Sequence, residues 1–373
     1  MIGAGALPLD RRAALAVHAV AVRQVASVLA FAVAPLLLTV IGAHALVGNQ
    51  FAFDFHREYW TAGQHVLHGM SPYDLRWQDI QHETAFPYNA VAALLFVPFA
   101  LLPHALADAI FTVLCIGAVP LALRVLGVRD WRIYGLVFLW QPVVLGWATA
   151  NVTLLLVLGV ALMWRHRDSA LAAGLLVALM VSVKLLVWPL AIWLLATRRY
   201  AAFGYALLGG LAMNVAAWFV LGFDQIGPYV KLLGLVTDHE ESRSYTLLAF
   251  AVNQGAGRTA GYALALALAV AAGAACVALA RRGDERHALL LCIAMALLAT
   301  PVTWAHYFAL LIVPLALLRP RLNPVWALPV VLALCPSTPT TWQLVLALAT
   351  VTAIVALVLV RRAPHPLARA VPA

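Results

Sequence analysis

Charge is what this sequence has least of. Aspartate, glutamate, lysine and arginine make up 10% of its 373 residues, against 64% hydrophobic residues. Soluble domains carry roughly a quarter charged residues, so the solvent around most of this chain is lipid. Cysteine is scarce too. Cys115, Cys276, Cys292 and Cys335 lie in or beside apolar runs with no CxxC spacing, so they read as small hydrophobes, with no disulfide and no metal site expected from them. A Walker A loop is missing, which excludes an ATP-driven pump. The absence of HExxH and of a Cys/His set argues against a metalloprotease, and no GxSxG elbow is present. No Asp-x-Asp pair occurs in the outer loops, which counts against a metal-bound nucleotide sugar.

What is present is a series of hydrophobic runs. Candidate spans are about 25–47, 104–126, 133–148, 151–164, 169–183, 185–197, 201–221, 260–280, 287–301, 305–318, 325–337 and 342–360. The first, preceded by Arg11, Arg12 and Arg23 and ending near Ala43-His44-Ala45, looks like a signal peptide but is too long for one and reads as a retained helix. The formal charge of +9 invites a nucleic-acid partner. The arginines fall in small clusters between runs, however, as topology signals do, so none is expected.

The run 88–102 is bounded by Pro87 and Pro103 and contains Pro98. If it does not cross, the clusters Arg124/Arg129/Arg132, Arg165/Arg167, Arg198/Arg199, Arg281/Arg282/Arg286, Arg319/Arg321 and Arg361/Arg362 all fall on the cytoplasmic side, as the positive-inside rule requires. It therefore reads as a re-entrant or interfacial helix. The expected fold is an all-α polytopic membrane protein, a bundle of about 12 transmembrane helices with an amphipathic first outer loop and both termini cytoplasmic. The divisions are a cytoplasmic segment 1–24, a membrane domain 25–360 with an outer loop 48–103, and a cytoplasmic tail 361–373.

This topology collects acidic and polar residues on the outer side: Asp54, Glu58, Asp74, Asp79 and Glu83 in the first loop, then Asn151, Lys184, Asp238 to Glu241 and His306. From Glu58 to Leu67, the residues Tyr59, Gly63, Val66 and Leu67 recur at helical spacing, which predicts a short amphipathic helix on the membrane surface. Asp54 just before it is either that helix's cap, paired with Arg57, or a general base whose pKa partial burial raises. Lys184, within an apolar stretch, either meets a phosphate at an outer turn or snorkels to lipid headgroups. His306, after Pro301 and Trp304, either binds a phosphate oxygen or is structural. Asn151 marks a polar break between two short spans, or simply caps the second.

These residues resemble glycosyltransferase family 87, the polyprenol-phosphate-mannose-dependent transferases of the GT-C fold. The resemblance rests on 54-DFHREYWTAGQHVLHGMSPYD-74, 86-FPYNAVAALLFVPFALLP-103, Asn151 at the entry to a span, 182-SVKLLVWP-189 and, more loosely, 303-TWAHYF-308. It implies a polyprenyl-phosphate sugar donor and a lipid or glycan acceptor at the outer face of the cytoplasmic (inner) membrane. Asp54 would be the catalytic base, with inversion at the sugar C1. Lys184 and His306 would hold the donor phosphate. Tyr59, Glu58, Asn151 and Tyr73 would line the substrate pocket, with no metal and no cofactor. The chain departs from the family at Thr149-Ala150-Asn151, where many members have Gly-Gln before the asparagine, and at Pro87-Tyr88-Asn89, where a second proline often follows the first. Two rival readings share the architecture: a transporter or flippase of lipid-linked sugars, and a membrane ligase moving whole glycans. A transporter would spread polar breaks near mid-membrane through both halves, whereas this chain gathers them at one face.

Overall fold

The computed structural model describes residues 20–21, 23–34, 36–37, 40–42, 51–73, 77–336 and 338–360. The tail 361–373, most of segment 1–24, the end of the first expected span and Asp74 lie outside the described residues. Those that are described form helices and turns, with no strand among them. Four helices are each long and apolar enough to cross a membrane: His104–Val125, Tyr200–Leu221, Gly257–Arg281 and Thr341–Leu359. Their outward faces carry bare apolar side chains such as Leu207, Leu211, Phe219, Leu266 and Val270. In a water-soluble protein these would be buried, and in a bilayer they face lipid.

The remaining apolar segments are shorter than twelve separate spans would require. Gln141–Ala148 and Thr153–Arg165 qualify only as one pair, bent by 114°, so the two spans expected at 133–148 and 151–164 are instead limbs of a sharply broken element. Ala90–Ala100, Ala170–Val183, Leu185–Ala196, Ala305–Leu318 and Pro324–Leu334 are each under 18 residues. At about 1.5 Å per residue they fall short of a hydrocarbon core about 30 Å thick. Ala90–Ala100, capped by Asn89 accepting from the Val91 N–H, is the segment read from the sequence as not crossing.

The chain doubles back at Lys184, which alone is extended between Ala170–Val183 and the 3-10 turn Leu185–Val187. The return is visible at the far end of this hairpin, where Arg199 Nε donates to the Arg167 carbonyl at 2.9 Å. There the Arg199 guanidinium also pairs with Glu285 at 2.8 Å and Asp168 at 3.1 Å. The arginines and the polar residues thus occupy opposite ends of the same short helices, about 20 Å apart along Ala170–Val183.

The first-loop helix runs from Phe55 to Leu67, its first six residues in a π-turn. It packs against Ala90–Ala100. Gly63 makes the approach possible, since a Cβ there would sit 2.9 Å from the Phe96 carbonyl oxygen and the Ala100 Cβ. Gln64 donates its side-chain amide to the Ala100 carbonyl. The buried face is Phe55, Tyr59, Ala62 and Gly63, whereas Leu67, expected on that face, is exposed. Tertiary contact decides the face: Phe55 stacks on Phe111 at 4.4 Å and Tyr59 on Phe96 at 4.6 Å.

Candidate active site

The break between Gln141–Ala148 and Thr153–Arg165 turns through Ala150, a buried alanine with a left-handed φ of 52°. The turn is held by the Asn151 N–H donating to the Gly146 carbonyl at 2.8 Å. The first loop docks onto it through backbone, the Ala52 N–H reaching the Ala148 carbonyl at 2.8 Å and the Asp54 N–H the Thr149 carbonyl at 3.0 Å. Two segments about a hundred residues apart in sequence are therefore fixed edge to edge before any side chain is considered.

The side chains then lock. Asp54 Oδ2 accepts from Thr149 Oγ1 at 2.8 Å and from Asn151 Nδ2 at 2.7 Å. Asn151 Oδ1 accepts from the Thr153 N–H at 3.0 Å and from Thr153 Oγ1 at 2.7 Å. Lys184 Nζ completes the chain, donating to Thr153 Oγ1 at 3.2 Å and Asn151 Oδ1 at 3.4 Å. Asp54 has helical backbone angles and makes no side-chain cap bond, so it is not the helix cap. Arg57 points elsewhere, over the Phe53 ring. Asn151 accepts from the first N–H of the following helix, the cap-like role weighed for it, and in addition bridges the aspartate to the lysine.

Lys184 is buried and does not snorkel. Its ammonium lies 4.1 Å from the centre of the Tyr307 ring and 5.3 Å from that of Tyr88, a cation–π setting of the kind found at desolvated cationic sites. Tyr88, Tyr307, Lys184, Glu58, Glu83 and Glu240 all line a cavity of about 320 Å³. Leu185, Trp188 and Leu186 line it as well, and Leu185 is 67% exposed on the outside of the bundle, so the cavity reaches the face that the bilayer would cover.

Burial pushes the Asp54 carboxyl above its usual range, against the pull of the Asn151 and Thr149 hydrogen bonds and of the Lys184 charge. Glu58, one turn along the same loop helix, is raised well above its usual range by burial first and then by the Asp54 charge. Its Oε2 has no hydrogen-bond partner among the described residues. Two neighbouring carboxylates and one ammonium thus lie within electrostatic reach of one another, as groups at functional sites often do.

The other residues singled out from the sequence fall behind this layer. Tyr59 and Tyr73 are both fully buried. Tyr59 donates its hydroxyl to that of Tyr88 at 2.8 Å, and Tyr73 donates to the Tyr88 carbonyl at 3.0 Å. Both hold Tyr88, the ring that faces the cavity. His306 is buried, its ring 5.0 Å from that of Tyr307, with Nε2 lacking a hydrogen-bond partner among the described residues. Tyr307 lines the cavity and His306 does not. The sequence reading missed Thr149, Thr153, Tyr88 and Tyr307 as members of the site. For Thr149 and Tyr88 a signal existed, because both sit at the positions where the chain departs from the pattern of the family it resembles.

Comparison with known proteins agrees with this reading of the chain. No curated protein and no solved structure matches it. The family model for glycosyltransferase family 87 matches residues 86–301, a segment that contains Tyr88, Asn151 and Lys184 and leaves Asp54, Glu58 and His306 outside. That is more than half of the 373 residues, and a family of transferases leaves no place for the transporter reading. The chain belongs to glycosyltransferase family 87 and is a membrane glycosyltransferase.

Proposed function

We propose that the protein transfers mannose from a polyprenyl-phosphate donor to a hydroxyl of a lipid or glycan acceptor, at the outer face of the cytoplasmic membrane, with Asp54 as general base. The observation that carries this reading is the continuous polar chain Asp54–Asn151–Thr153–Lys184 beside a cavity that reaches the lipid-facing surface. It offers a base and a cation a short distance apart, with an apolar exit for a prenyl tail between Leu185 and Trp188.

In this mechanism the Asp54 carboxylate takes the proton of the acceptor hydroxyl as its oxygen bonds to the sugar C1. The bond from C1 to the phosphate oxygen breaks on the opposite side, giving inversion, and polyprenyl phosphate leaves with the bonding pair. Lys184, seated between the Tyr88 and Tyr307 rings, stabilises the charge that grows on the leaving phosphate, help worth a few kcal/mol from a preorganised donor. His306 supports it from behind Tyr307. Asn151 and Thr149 hold Asp54 in place, Glu58 faces the sugar, and Tyr59 and Tyr73 shape the pocket through Tyr88. The opposed ends of the short helices support an orientation with the arginine clusters in the cytoplasm and a membrane domain over 25–360 in which short helices share the passage.

Membranes containing wild type or Asp54→Asn are incubated with radiolabelled polyprenyl-phosphate mannose and a host lipid extract. Transfer by wild type and a loss of about 10² or more in the variant is the expected result. Equal transfer by both proteins moves the base to Glu58, and no transfer from this donor by the wild type rejects the donor class.

A further inference from the structure

A second cluster of chemically active side chains lies where the loop helix meets His104–Val125. His104 and Asp108 stand one turn apart at the start of His104–Val125, so they share a face. His56 reaches them from the loop helix. His56 Nδ1 is 3.2 Å from Asp108 Oδ2, and His104 Nδ1 is 3.9 Å from the same oxygen. One ligand atom from each of the three residues lies within 4.8 Å of the others.

Pairing within the cluster accounts for only part of the arrangement. His56 Nδ1 faces Asp108 Oδ2, whereas Asp108 Oδ1, shielded from solvent, has no hydrogen-bond partner among the described residues. Asp108 itself is only 8% exposed, so an unpartnered buried carboxylate oxygen stands in the cluster. A buried carboxylate oxygen left unpaired is destabilising, and a cation would satisfy it.

The geometry points to a divalent transition-metal site of the zinc type formed by His56, His104 and Asp108. Two imidazoles and a carboxylate are the donor set of open zinc sites, which keep a fourth position for water or a ligand. Bond lengths of about 2.0–2.2 Å require the ligand atoms to draw together by about an ångström. The His56 and His104 side chains, 36% and 62% exposed, have room to do so. The His56 ring is already oriented by stacking on Trp60 at 5.5 Å, with the planes 7° apart. The open position faces a cavity of about 610 Å³ lined by all three residues. Glu58 lines this cavity and the Lys184 cavity alike, so a cation here would pin the helix that carries Asp54 and Glu58 to the first long membrane helix. No motif announces the site, because His56 comes from a different segment of the chain than the His104/Asp108 pair.

The test uses the full-length protein without a histidine tag, purified in detergent and stripped with a chelator, then titrated with Co²⁺ and with Zn²⁺. The wild type is expected to take up one ion per chain, with the visible d–d absorption of low-coordinate Co²⁺ that Zn²⁺ abolishes. Asp108→Asn and His104→Ala should each bind at least about 10-fold more weakly, while His68→Ala, at an exposed histidine outside the cluster, should bind as the wild type does. If Asp108→Asn does not fold, His104→Ala decides, since that ring is largely in solvent. No absorption band in the wild type, or equal affinity in His104→Ala and wild type, overturns the site. Neither readout depends on sugar transfer, so the result is independent of the donor proposed above.

Discussion

Asn151 donates its side-chain amide to Asp54 Oδ2 at 2.7 Å, a bond between residues 97 positions apart. That contact ties the first loop to the broken pair of helices. It also opposes the rise that burial imposes on the Asp54 carboxyl. Removing it with Asn151→Ala should raise the Asp54 pKa further. A general base works only when deprotonated, so the acidic limb of the kcat/KM profile should move to higher pH, with transfer at low pH falling more than transfer at high pH. A pH–rate profile of both proteins checks this, and a uniform loss at every pH would mean that Asn151 acts on something other than the base.

Lys184→Met removes the cation between Tyr88 and Tyr307 while nearly preserving the side-chain volume. Loss of a preorganised charge at the proposed leaving phosphate should lower kcat by about 10²-fold or more, with a smaller effect on KM. Lys184→Arg should not restore the rate. The larger planar guanidinium cannot reproduce the position from which the compact ammonium, buried beside Tyr307, donates to Thr153 Oγ1 and Asn151 Oδ1. Steady-state kinetics in detergent or nanodiscs distinguish the two parameters.

Gly63→Val should detach the loop helix from Ala90–Ala100, because even a Cβ would meet the Phe96 carbonyl at 2.9 Å. Overpacking of this kind costs about 1–3 kcal/mol. Both the midpoint of thermal unfolding and sugar transfer should fall, although Gly63 touches no substrate. A variant with wild-type transfer would show that this packing does not position Asp54.

Glu240 ends the helix Ile226–Glu240 with its carboxyl pushed up to about 7, by burial first, opposed by Arg243 and reinforced by Glu83. Between the usual carboxylate range and about pH 7 the folded protein keeps a proton that the unfolded chain gives up. Stability contributed here is therefore present at low pH and lost as pH rises through 7. Glu240→Gln should flatten that part of a plot of melting temperature against pH. An unchanged slope would place the titration elsewhere.

The sequence by itself determined the solvent, the helical class, the family and the residue types of the site. Composition and hydrophobic run length answer the first two, since lipid accepts no exposed polar backbone. Asp54, Asn151 and Lys184 are conspicuous in so apolar a chain because each needs a partner. Tertiary structure alone decided which partners. Helical spacing placed Tyr59 on an amphipathic face, but only packing on Phe96 showed it buried behind Tyr88. The broken element at Ala150 and the hairpin at Lys184 replaced separate full-length spans, because hydropathy counts apolar residues and cannot register a chain that turns back inside the bundle. The meeting of His56 with His104 and Asp108 is likewise a product of folding: three-dimensional neighbours drawn from separate segments leave no periodicity in one dimension.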